Sequence, residues 1–83
     1  MTRQYPPEIF IGQRVLVRSN PGDRPIESEV TRLDNDKGIV YLQPIGASHK
    51  LAARARAVMD LKGYYLHFER NAFFFAPKPM LQR

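Results

Sequence analysis

The chain has 83 residues, 43% of them hydrophobic, with no cysteine and with 13 lysines and arginines against 8 aspartates and glutamates. That length supports one domain, and the lack of cysteine excludes disulfides, thiolate catalysis and cysteine-ligated zinc. No apolar run approaches the roughly 18 residues of a membrane span, and the N-terminus lacks the basic-then-apolar order of a signal peptide, so the expectation is a cytoplasmic protein without a membrane partner.

Residues 1–8, with Pro6–Pro7, read as a flexible arm. Ile9 to Arg18 reads as a first strand, because Ile9, Ile11, Val15 and Val17 share one parity; Gly12 marks a bulge or the true start. Asn20-Pro21-Gly22-Asp23 has the residue types of a type II turn. Ile26 to Leu33 is a second, polar and irregular strand, with Ile26 and Val30 on one parity. Asp34 to Gly38 is a hairpin loop, and Ile39 to Gln43 a third strand ended by Pro44. The alanine-rich segment that follows predicts one helix over 49–61, capped by Ser48, stopped at Gly63, and burying Leu51, Ala55, Val58 and Met59. Tyr64 to Glu69 alternates as a strand, Arg70-Asn71 is a tight turn, and Ala72 to Ala76 returns as the last strand before Pro77. Residues 77–83 read as a loose tail. The expected fold is mainly β (α+β): residues 9–76 form a small, five-stranded, antiparallel, partly open barrel of SH3-like or OB-like kind, with one short helix before the last hairpin. A sheet with a helix packed on one face is the alternative.

The charge is uneven. Residues 1–45 hold six basic and six acidic groups, whereas residues 46–83 hold seven basic groups against Asp60 and Glu69. Six of the nine aromatic residues (Tyr64, Tyr65, Phe68, Phe73, Phe74 and Phe75) fall in the same region. A hairpin has two faces, so either Phe74 or the pair Phe73 and Phe75 lies on the less buried side unless both faces are covered. Aromatic rings beside cations suit single-stranded nucleic acid, because bases stack while cations follow phosphates. On this reading Lys50, Arg54, Arg56, Lys62 and Arg70 meet phosphates, and Tyr65, His67 and Phe74 stack on bases. The same aromatic hairpin also suits a protein-binding adaptor or inhibitor of a regulatory kind, or a homodimer contact. The plainer readings are a solvated basic face and a hydrophobic core.

Arg14-x-x-x-Arg18, followed by Asp34-x-Asp36-x-Gly38 ahead of a β run, resembles the PilZ family over about 30 residues. That resemblance implies a cyclic di-GMP receptor using Arg14 and Arg18. The sequence departs from the family pattern at Asp36, where serine is expected, in a glycine spacing one residue short, and in arginines that fall within a strand. The loop opening at Asp34 lacks the closing glutamate of a calcium site, the position being Ile45. Ser48 and His49 are adjacent and diverge on a helix, and His67 has Glu69 beside it but no nucleophile. No catalytic, cofactor or metal site is expected.

Overall fold

The computed structural model describes residues 8–18 and 22–78. It contains seven strands: β1 (Arg14–Val17), β2 (Ile26–Asp34), β3 (Ile39–Pro44), β4 (Leu51–Arg54), β5 (Val58–Asp60), β6 (Tyr65–Glu69) and β7 (Ala72–Ala76), with a single 3₁₀ turn at Ala55–Ala57. They form one antiparallel sheet in the order β4-β3-β2-β1-β5-β6-β7, open at both edges. No described helix is long and apolar enough to cross a membrane.

The first strand is shorter than its sequence suggests. Residues 10–13 make a turn in which Gln13 N–H donates to the Phe10 carbonyl, and Gly12 sits at φ +95° with its N–H on the Val30 carbonyl. Gly12 therefore marks the true strand start, and Ile11 is left exposed. Gly22 has the positive φ, +88°, that a type II turn demands of its third residue, while Asn20 and Pro21 lie outside the described residues. In β2 the register shifts between Val30 and Arg32, which reverses the parity: Ser28 and Val30 face inward before the bulge, and Leu33 packs on the core after it. That bulge is the physical origin of the irregular pattern after Val30; Ile26 lies before it and on the parity of Val30, and is exposed at the start of the strand.

The helix expected over 49–61 does not form. Leu51 to Arg54 pairs with β3 in the register Leu42↔Leu51 to Ile39↔Arg54, and Val58 to Asp60 pairs with β1. Burial along β4 alternates, Leu51 and Ala53 being half-buried and Ala52 and Arg54 exposed. Alanine's helix preference over an average residue is a few tenths of a kcal/mol. It is outweighed here by the backbone bonding that β3 and β1 offer on both sides of the 3₁₀ turn. The two extra strands raise the expected five to seven.

The core is small and valine-rich. Val15 and Val17 from β1, Val30 from β2, Val40 and Leu42 from β3, Ala55 from the 3₁₀ turn, Val58 from β5, Leu66 from β6 and Phe75 from β7 are buried together. Burial of each Val, Leu or Phe is worth about 1.5–3 kcal/mol. Buried Ser28 donates its hydroxyl to the Ile26 carbonyl. Buried Asp60 shapes the β5–β6 turn, its Oδ1 accepting from the N–H groups of Lys62 and Tyr64.

Candidate nucleic-acid interface

Two hairpin tips meet around the 3₁₀ turn. In the β2–β3 turn, Asp34 Oδ1 accepts hydrogen bonds from the N–H groups of Asp36 and Lys37, and Gly38 closes the turn at φ +70°. The Lys37 N–H, more than any other contact, holds the Asp34 carboxyl below its ordinary value; the Asp36 N–H and the charges of Lys37 and Arg32 add to it against partial desolvation. In the β6–β7 turn Arg70 and Asn71 take φ +55° and +61°, the left-handed pair that a two-residue hairpin requires. Asn35 Nδ2 donates to the Asn71 carbonyl and ties one tip to the other. The Phe68 ring lies directly on Gly38, where a Cβ would stand 2.6 Å from Phe68 Cδ2.

Between these tips and the 3₁₀ turn lies an open cleft of about 500 Å³. Its floor is apolar, built by Ile39, Leu66 and Phe68, and its cations are Lys37, Arg54 and Arg56. Among the described residues no acidic side chain lines it. Arg56 also lines a shallow neighbouring cleft of about 50 Å³ with Arg18, Met59 and Tyr65. Arg18 is held there by its N–H, which donates to the Ala57 carbonyl at 2.9 Å. Four cations therefore flank the 3₁₀ turn with Tyr65 and Phe68 among them. Lys37 has the Asp34 carboxylate near it, whereas among the described residues no ion pair is formed by Arg18, Arg54 or Arg56; like charges so gathered repel one another, and an anionic ligand relieves that repulsion.

The residues expected from sequence divide into three groups. Arg54 and Arg56 line the main cleft, and Tyr65 lines the neighbouring one. They do so from a strand end and a 3₁₀ turn, not from a basic helix. His67 and Phe74 stack on each other on the outer face of the last hairpin, with ring centres 5.2 Å apart and planes 15° apart, and the His67 ring bonds through Nε2 to the Lys78 carbonyl. Phe75 is buried and Phe73 packs on the core, so Phe74 is the exposed member of the triplet, at 41%. Lys50, Lys62 and Arg70 do not line the cleft. Lys50 sits at the far end of β4, about 13 Å from Arg54 by strand rise; Lys62 is in the β5–β6 turn and Arg70 at the hairpin tip.

Lys37, Ile39 and Phe68 are cleft residues that sequence reasoning did not place there. Lys37 looked like an ordinary hairpin-loop charge, and only the folding of one hairpin over the other brings it to the arginines. For the cyclic di-GMP reading, Arg14 is engaged in an ion pair with Glu27 at 3.2 Å, Asp34 is used by its own turn, and Arg18 alone of the three lines a cleft. No protein-family model, no curated protein and no solved structure matches the chain.

Proposed function

We propose that this chain is a non-enzymatic binding module for nucleic acid, with single strands favoured, and that the cleft beside the 3₁₀ turn is its contact surface. The observation that carries the reading is the lining itself: three cations, an apolar floor with an aromatic ring, and no carboxylate. Cations follow the phosphates and rings accept bases, which is the chemistry of single-strand binding. The architecture we infer for the first five strands is SH3-like, since β5 returns to β1 after a 3₁₀ turn.

Arg54→Glu with Arg56→Glu should abolish binding of a short single-stranded oligonucleotide while leaving the circular dichroism spectrum unchanged, because both side chains are exposed. With three to four phosphates neutralised, the slope of log affinity against log salt should be about −2 to −3 for a single strand. Unchanged affinity in the double variant, or a flat salt response, would exclude the cleft as the contact surface.

A second reading is favoured by the exposure of Phe74. Stacked on His67 beside the edge of β7, which no described strand covers, it presents an apolar anchor of the kind that protein partners bury, a second copy of this chain included.

A further inference from the structure

We propose that the cleft receives one unpaired nucleotide, its base on the floor of Ile39, Leu66 and Phe68 and its phosphate among Lys37, Arg54 and Arg56. The inference rests on the nucleic-acid reading and specifies what enters the cleft. A cleft of about 500 Å³ lies within the range that small-molecule ligands occupy. Its floor is shaped before any ligand arrives. Phe68 is seated on Gly38 and tilted at 48° against Phe73, with ring centres 4.9 Å apart, so the ring is fixed by packing on two sides. Its cations are of two kinds, a point charge from Lys37 and two planar forks that can hold phosphate oxygens bidentately.

The two halves of this lining ask for different parts of one ligand. A duplex keeps its bases in the stack and offers phosphates alone, so it meets the cations and leaves the apolar floor uncovered. Inorganic phosphate does the same. An unpaired nucleotide supplies a flat apolar face and an anion together. A phosphorylated aromatic side chain has similar parts, but the cations continue past the cleft through Arg56 to Arg18, with the Tyr65 ring beside them. A track longer than one phosphate favours a phosphodiester-linked strand over a single modified residue.

The test uses the full chain, a fluorescent single strand of about ten thymidines, and a blunt duplex of the same length, read by anisotropy at fixed salt. The single strand should bind about tenfold more tightly, the order of one base stacked on an aromatic ring. Ile39→Phe fills the floor and leaves every charge in place, so it should bring the ratio of strand to duplex affinity down toward one. On the unaltered protein, thymidine monophosphate should displace the strand at concentrations where inorganic phosphate and phosphotyrosine do not, a measurement that needs no variant to fold. Equal binding of strand and duplex with equal displacement by phosphate would overturn the base-receiving cleft and leave the nucleic-acid reading intact. Displacement by phosphotyrosine as effective as by the nucleotide would overturn the assignment of the base. Binding of neither strand nor duplex would overturn both.

Discussion

Single residues hold the two hairpin tips in place, and Gly38 is the clearest case. Its φ of +70° lies in the left-handed region, and the Phe68 ring occupies the space a side chain would need. Gly38→Ala therefore meets a backbone penalty and a clash at once, and a loss of about 1–3 kcal/mol in urea denaturation is expected. An unaltered midpoint would mean that the ring swings away freely. Asp34 acts in the same turn through hydrogen bonds to its charged form. Its carboxyl is held below its ordinary 3.8, so the stabilisation is present above that value and is withdrawn as pH falls through the lower, folded-state one. Asp34→Asn keeps an acceptor oxygen and loses the charge. Its melting temperature should lie below that of the unaltered protein at neutral pH, and the gap should close on acidification below 3.8.

At the scale of elements, the region 51–60 is where residue preference and tertiary pairing disagree. Ala52 tests which of them governs. It is exposed on the β4 edge, opposite Tyr41. Ala52→Thr should raise the melting temperature, because a β-branched residue suits a strand by up to about 1 kcal/mol. In a helix the same change would lower stability by several tenths of a kcal/mol. The strands β1, β2, β3, β6 and β7 were legible because alternation, turn residues and prolines agree within each of them. Val58–Asp60 finds its partner in β1 at the other end of the domain, and although β3 directly precedes Leu51–Arg54, nothing local to that alanine-rich segment announces that β3 has an open edge at that register. The cleft was legible in part for the same reason. Arg54, Arg56 and Tyr65 stand out by charge and ring, whereas Lys37 enters only through a contact between turns more than thirty residues apart.

For the whole molecule, the two sheet edges, which no described strand covers, are the main liability, and that of β7 (Ala-Phe-Phe-Phe-Ala) carries no charge. Self-association through the last hairpin is the expected remedy. Phe74→Asp should leave a folded protein that dimerises more weakly, because a carboxylate would be forced into an apolar contact. Sedimentation at micromolar concentration checks this, and a strictly monomeric unaltered protein would rule the contact out. The way this hairpin is attached has its own consequence. Its ladder to the remaining sheet is the single register pair Met59↔Tyr65, so it is held chiefly by Leu66 and Phe75, buried in the common core, with the Asn35–Asn71 bond and the Phe68–Gly38 contact beside them. Lifting the hairpin as a unit exposes Leu66 and Phe75 but breaks none of the ladders among β1, β2 and β3, and such a partial opening would be read as concerted amide exchange across Leu66 to Ala76 ahead of those strands. Every opening of that kind parts the floor residues Leu66 and Phe68 from Ile39, so the population of the closed hairpin sets the fraction of molecules ready to take a ligand at any moment.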